Sequence, residues 1–332
     1  MVKKIGIIGT GIWGTALAIT AERADNEVLC WARDENVVKD ININHKNAKY
    51  LDDVVLSNKI RATVNLEEVF EFADVVLLTV SAQHTRELLQ KIKPYVKSNT
   101  ILVLCAKGIE EKSGKMLSEI ADEELPQVEF AILSGPGFAR DVADKKFVSV
   151  TIGAKKEDVA KKVTEMMGTP YFRPYMTTDI ISVQIGGSVK NVIAIASGIV
   201  EGAEFGDGAR AALITRGFHE MAKLTEKLGG KLVTLKGMCG LGDLVMTASC
   251  YQSRNFSFGV EVGKCGNAKE VMEKNTKTVE GIFTTKAVVK RARDMGIEMP
   301  ISEVMEKLLF DGVSLNDAMA ELLSRSYKVE GS

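Results

Sequence analysis

Six short runs of apolar residues recur through the first half of the chain, and each is continuous rather than alternating. They are Ile5–Ile8, Val28–Trp31, Val75–Val80, Ile101–Cys105, Phe130–Leu133 and Val148–Ile152. Runs of this length, rich in Val, Ile and Leu, suit strands buried on both faces, as in a parallel sheet. Between them, Thr15–Arg23, Thr85–Ile92 and Gly114–Glu123 place apolar residues at the three- and four-residue spacing of helices. Strand–helix alternation of this kind predicts βαβ units in a doubly wound sheet. After about Thr178 the strand-like runs stop, and Ala209–Leu228, Thr284–Met295 and Ser302–Leu309 follow a helical period. A chain of 332 residues exceeds what one hydrophobic core sustains. The expectation is an α/β domain over residues 1–180 followed by an all-α C-terminal domain over residues 181–332.

Charge narrows the function classes. Lys and Arg number 43 against 44 Asp and Glu, a balance that argues against a general nucleic-acid binder. The longest weakly charged stretch, between Asp179 and Glu201, carries Gln184, Ser188, Lys190 and Asn191, which a lipid-facing helix does not choose. It reads as a buried helix, so no integral membrane segment is expected. The opening MVKKIGIIG leads straight into a strand and has neither a signal-peptide nor a transit-peptide pattern. Five cysteines are too few, and odd in number, for a disulfide framework. A cytoplasmic protein is expected. The histidines His45, His84 and His219 are far apart and no two cysteines have C-x-x-C spacing, so no metal site is expected.

The first run is followed directly by Gly9-Thr10-Gly11-Ile12-Trp13-Gly14, a G-x-G-x-x-G loop that opens a helix near Trp13. Gly9 permits the tight turn, Gly11 admits a pyrophosphate to the backbone, and Gly14 lets the helix pack on the strand. Free amides and the positive end of the helix dipole then face the phosphates. In this strand–turn–helix context the loop predicts a Rossmann-type sheet that binds a dinucleotide. At the end of the second strand, Arg33 stands beside Asp34 where the adenosine ribose is read. An acidic residue there suits NAD and a basic one NADP, so the pair leaves either cofactor open.

Further motifs then carry a resemblance. GTGIWGTALA at 9–18, CAKGIE at 105–110, LSGPGFA at 133–139, GGSVKNVIAIASG at 186–198, ALITRGFHEM at 212–221, GLGDLVMTASCYQSRN at 240–255 and VEGIFTTKAV at 279–288 occur in this order. The chain resembles the NAD(P)-dependent glycerol-3-phosphate dehydrogenases of the bacterial type over nearly its whole length. The resemblance implies reversible reduction of dihydroxyacetone phosphate to sn-glycerol 3-phosphate for phospholipid synthesis. It also implies a homodimer with a Rossmann domain joined to a helical substrate domain.

Ketone reduction needs a proton donor at the carbonyl oxygen, and the reverse reaction needs the same group as a base. Lys190 is the lone charge on an otherwise apolar helix, where desolvation lowers an ammonium pKa toward neutrality. The resemblance makes it the catalytic lysine, with Asn191 beside it orienting substrate. Lys107 follows a strand at the carboxyl end of the sheet and is expected near both substrate and nicotinamide. The Gly135–Ala139 turn follows another strand. Gly135 and Gly137 are expected at the substrate and Ala139 at the cofactor. The family usually has Ser or Thr where this chain has Gly137, so that hydroxyl contact does not carry over.

Ser253, Arg254 and Asn255 bring a hydroxyl, a guanidinium fork and an amide together, a set suited to phosphate. The resemblance places all three on the substrate phosphate, with Arg254 also near the cofactor. Asp243 is expected to contact substrate and orient Lys190, with Thr247 one turn on along the same helix face. Glu280 and the backbone near Thr278 are expected at the cofactor, as are Ile12, through its amide, and the ring of Trp13. Two rival readings are a 3-hydroxyacid dehydrogenase of similar architecture and a non-catalytic dinucleotide sensor. The S-R-N and G-L-G-D motifs favour glycerol phosphate over the first, and the presence of Lys190 and Lys107 disfavours the second.

Overall fold

The computed structural model describes residues 3–325 and Val329. Eight strands form one sheet: β1 (Lys3–Ile8), β2 (Asn26–Trp31), β3 (Ile60–Thr63), β4 (Val75–Leu78), β5 (Ile101–Leu104), β6 (Glu129–Ser134), β7 (Val148–Ala154) and β8 (Phe172–Thr177). Their order is β3-β2-β1-β4-β5-β6-β7-β8. The chain reverses direction of travel across the sheet between β1 and β4, and open α/β sheets bind ligands beyond the strand ends at such a point.

Each of the six apolar runs forms a strand. The two strands they did not mark, β3 and β8, are the two edges of the sheet. An edge strand need not be apolar on both faces, and β8 (FRPYMT) is largely exposed and contains Pro174, whose missing donor an edge tolerates. The sheet also departs from the all-parallel expectation at one place, because β7 runs antiparallel to β6, with Ser134 opposite Thr151. That reversal keeps the connecting loop, which starts at Gly135, at the carboxyl end of β6.

Several helix boundaries also differ from the sequence pattern; the helix expected from Thr284, for one, starts at Glu280. The helix expected from Gly114 starts at Leu117, because Gly114 adopts a left-handed turn (φ +73°) and Ile109 pairs with Met116 ahead of it. The helix expected from Ser302 starts earlier, at Pro300, whose fixed φ suits a first turn. It then widens into a π-turn over Lys307–Asp311, ended by Gly312 at φ +72°.

After β8 the described chain is helical. Asp179 caps the core helix Ile180–Gly202 by accepting a bond from Ser182 N at 3.1 Å. By length and hydropathy this helix could cross a membrane, yet it is wholly buried within the protein, packed against most of the later helices. Its tightest partner is helix Arg254–Cys265. A Cβ on Gly198 would lie 2.1 Å from the Phe256 carbonyl oxygen, and one on Gly259 would lie 2.1 Å from that of Ile195. Gly202 and Gly263 repeat the arrangement one turn further on. Each helix thus carries G-x-x-x-G, and the backbones meet where any side chain would stand between them. The crossing positions Asn255 at the head of its helix against Asn191 on the core helix.

Gly198→Ala is expected to destabilise the protein by about 1–3 kcal/mol through overpacking. Urea unfolding checks this.

Candidate active site

The glycine loop sits at the switch between β1 and β4. Gly9 takes φ +105° and donates from its amide to Trp31 O at 3.1 Å, while Thr79 N donates to Ile8 O at 2.9 Å. A Cβ on Gly14 would lie 1.9 Å from Gly9 O, so the helix Ile12–Arg23 packs directly on the turn. Asn47 braces the loop from outside, donating to Thr10 O at 3.0 Å and Thr15 Oγ1 at 2.7 Å. Gly11 is different: nothing stands within 4 Å of where its Cβ would be. The open space before the first helical amides is a cradle of the kind a pyrophosphate fills, so these residues fit a dinucleotide. Ile12 is exposed at the rim of this cradle. Trp13 is half-buried, and its ring edge would lie 3.7 Å from a Cβ on Gly137, so the loop after β6 faces the loop after β1.

At the end of β2, Arg33 is exposed and makes no ion pair among the described residues. Asp34 is engaged twice: it caps helix Glu35–Lys39 through Asn36 N at 3.0 Å and pairs with Lys49 at 2.8 Å. Those contacts hold its carboxyl below the ordinary value.

The chemical centre is a buried carboxylate between two lysines. Asp243 is fully buried where the π-turn Met238–Gly242 runs into the short helix Asp243–Thr247. Its Oδ1 accepts from Lys190 Nζ at 2.5 Å and its Oδ2 from Lys107 Nζ at 2.7 Å. Lys190 also donates to Thr247 Oγ1 at 2.7 Å, and Thr247 lies one turn on from Asp243 as expected. Lys107 donates in addition to the Gly135 carbonyl at 2.7 Å. Lys190 is only 4% exposed, and burial pulls its ammonium down from 10.5 to about 7; Asp243 opposes that fall and Lys107 adds to it. The unfolded chain therefore holds a proton that the folded one releases between about pH 7 and 10.5, so this group contributes stability that rises with pH across that window.

Amides extend the cluster toward the helical side. Asn191 lies against Lys107 O and Gly187 O at 3.4 Å, its Oδ1 accepts from Asn255 Nδ2 at 3.0 Å, and Asn255 Oδ1 accepts from Gly281 N at 2.9 Å. Ser253 caps helix Arg254–Cys265 by accepting from Phe256 N at 3.3 Å. Arg254, next along, is exposed and without an ion-pair partner among the described residues. Glu280 opens helix Glu280–Asp294 and is mostly buried, its carboxyl pushed up by burial while Arg254 opposes the rise. Its Oε2 has no hydrogen-bond partner and lies 3.2 Å from where a Cβ on Gly108 would be. Thr278 is exposed just ahead of that helix, and Ala139 is half-buried at the start of helix Ala139–Ala143.

The structure thus joins Lys107, Gly135, Lys190, Asn191, Asp243, Thr247 and Asn255 in one hydrogen-bonded group, with Ser253 beside it at the cap. It leaves Ile12, Arg33, Ala139, Arg254, Thr278 and Glu280 around the edge, outside that network. The bracing Asn47 and the Lys49–Asp34 pair were not found from sequence. Neither leaves a motif, since each depends on a loop folding back across more than ten residues. Among the described residues no group of three or more His, Cys, Asp or Glu could hold a metal ion. Cys239, close to this centre, is buried with its thiol pushed up to about 11, so it is not activated as a nucleophile.

A dinucleotide cradle at the switch point, with a buried lysine–carboxylate cluster beyond the strand ends, fits the class of nicotinamide-dependent dehydrogenases. The family model for the N-terminus of NAD-dependent glycerol-3-phosphate dehydrogenase matches residues 4–160, and the model for its C-terminus matches residues 179–320. The chain belongs to this family. A glycerol-3-phosphate dehydrogenase [NAD(P)+] of Parvibaculum lavamentivorans is 43% identical over 328 residues, covering 99% of this chain and 98% of that one. One from Bacillus thuringiensis is 39% identical over 330 residues, covering 98% and 97%. The crystal structure of the Coxiella burnetii glycerol-3-phosphate dehydrogenase superposes with a TM-score of 0.92 at 34% identity, covering 98% of this chain and 99% of that one.

Asp243→Asn leaves both lysines without their counter-charge. It is expected to shift the titration of Lys190 to lower pH and to cost about 3 kcal/mol in urea unfolding, as removal of one member of a buried pair does.

Proposed function

We propose that the chain catalyses the NAD(P)-linked interconversion of dihydroxyacetone phosphate and sn-glycerol 3-phosphate, with Lys190 as the proton donor and acceptor. The observation that carries this reading is the buried Lys190 ammonium, poised near neutrality against Asp243 and joined through Lys107 to the loop after β6 that meets Trp13 of the cradle. We divide the chain near residue 180 into a dinucleotide-binding domain (1–180) and a substrate domain (181–332). The last strand ending at Thr177 and the core helix starting at Ile180 support that division. A cytoplasmic homodimer is part of the same proposal. The absence of disulfides, with Cys30, Cys105, Cys239, Cys250 and Cys265 all free, fits a reducing compartment.

Gly9, Gly11, Ile12 and Gly14 would hold the pyrophosphate, Trp13 and Ala139 the faces of the cofactor, and Thr278 and Glu280 its far side. A reduced nicotinamide supplies the hydride that reaches the carbonyl carbon. Lys190 Nζ gives its proton to the carbonyl oxygen and takes it back in the reverse direction. Lys107, fixed by Asp243 and the Gly135 carbonyl, places a second positive charge to stabilise that oxygen as it becomes negative. Asp243 keeps the two ammonium groups together without joining the proton transfer. Asn191 orients the substrate hydroxyl, and Asn255, held by Asn191 and Gly281 N, joins Ser253 and Arg254 at the phosphate end. Arg254, the Ser253 hydroxyl proton and the amides of helix Arg254–Cys265 receive the phosphate. Gly137 offers its backbone alone, so the loop after β6 contributes no hydroxyl at that position.

Lys190→Ala is expected to lower kcat for ketone reduction by about 10²–10⁴-fold while the cofactor still binds. In the parent enzyme the reduction rate should fall as pH rises through about 7 and the oxidation rate should rise, because reduction uses the protonated lysine. Following nicotinamide absorbance across pH 5.5–9 checks both. No oxidation of either reduced cofactor by folded protein that binds them would overturn the dehydrogenase reading and favour a dinucleotide sensor.

The ribose end favours NADP over NAD in this reading. Asp34 is already occupied by its cap and by Lys49, while Arg33 is free to meet a 2′-phosphate. Arg33→Ala should weaken NADPH binding about tenfold, a loss of about 1.4 kcal/mol, and leave NADH binding little changed. Calorimetric titration of the two cofactors checks the difference.

A further inference from the structure

A large cavity lies away from the active site, among the helices Asp207–Lys227, Pro300–Glu306 and Leu315–Leu323. Its volume is about 410 Å³, within the range of small-molecule sites. Val200 of the core helix reaches it, ten residues beyond Lys190 and so about 15 Å along the helix axis. Leu213, Met319 and Leu322 supply much of the rest of its apolar wall.

Charge at its lining is uneven. Arg325 is paired with Glu298 at 2.9 Å. Glu220 forms part of the floor and accepts from Ile301 N, from Ser302 N at 3.2 Å and from Ser302 Oγ at 2.9 Å, so it is spent on the first turn of helix Pro300–Glu306. Burial also pushes its carboxyl up to about 7, which weakens it as a repelling charge. Arg216 and Lys223 remain. They stand seven residues apart on helix Asp207–Lys227, two turns along one face, and neither has an ion-pair partner among the described residues. Two unpaired cations over an apolar chamber complement a head of negative charge with an apolar body behind it.

We propose that this cavity binds an amphiphilic anion, a carboxylate or phosphate head carried on an apolar chain, with the head between Arg216 and Lys223 and the chain against Leu213, Met319 and Leu322. The site is separate from the catalytic centre, and nothing in the proposed reaction occupies it. Free fatty acids and alkyl phosphates share the required chemistry.

Calorimetric titration of the folded full chain with octanoate and with octyl phosphate tests the site. Inorganic phosphate and octyltrimethylammonium serve as probes lacking the chain or the negative charge. Saturable binding of one octanoate or octyl phosphate per chain is expected, and the stronger of the two identifies the head group. The double variant Arg216→Glu/Lys223→Glu, a surface change that should fold normally, is expected to weaken it at least tenfold. Ala212→Trp should abolish it by filling the chamber, and Lys190→Ala should leave it unchanged. The proposal is overturned if neither amphiphile binds saturably or if octyltrimethylammonium binds equally well. Affinity that survives the double charge reversal, or is lost in Lys190→Ala, overturns it as well. Should Ala212→Trp fail to fold, the charge-reversal variant decides alone. A second copy covering this face would appear as absent binding in the dimer, which also contradicts the proposal.

Discussion

One fully buried carboxylate, Asp243, holds two lysines that arrive from different parts of the fold. Lys107 comes from the loop after β5 and Lys190 from the middle of the core helix. Burying such charges is tolerable only because they are paired and hydrogen-bonded, through Thr247 and the Gly135 carbonyl as well as through Asp243. The same burial brings the Lys190 ammonium to near neutrality, where proton exchange with a substrate oxygen is efficient. The sheet and the helical part are therefore tied together by the group we propose performs the chemistry.

Positioning that group requires two close approaches of backbone. At the cradle, Gly14 lets the first helix rest on the turn after β1, so its amides face the space beside Gly11. At the helix crossing, Gly198 and Gly259 let the core helix and Arg254–Cys265 meet backbone to backbone. Through Asn255, Asn191 and Gly281 the crossing is linked by hydrogen bonds to the start of helix Glu280–Asp294. The side-chain cluster around Asp243 is thus carried on elements brought together by close backbone contacts.

Much of this is legible in the sequence where a local pattern has a local cause. The interior strands announce themselves because burial on both faces demands continuous apolar runs. The glycine loop does so because three of its positions exclude a side chain or leave room for a ligand. The edge strands β3 and β8 escape that logic: β8 is largely exposed, and the short β3 is broken by exposed Arg61 and ends in Thr63. Lys190 stands out as a lone charge in an apolar helix, but its geometry with Asp243 joins residues 53 apart and follows from the family resemblance, not from spacing. The reciprocal G-x-x-x-G pairs at 198/202 and 259/263 are visible in the chain, yet their partnership appears only once the helices are packed. Asn47 and Lys49 act through a loop that folds back, and no periodicity records such a return.

The central claim is that burial against Asp243 and Lys107 leaves Lys190 able to exchange a proton near neutral pH. The most direct measurement is an NMR titration of the lysine side-chain signals in the folded protein, with Lys190 assigned by its loss in Lys190→Arg. Lys190 is expected to titrate near pH 7. A Lys190 signal that stays protonated through pH 10 would contradict it.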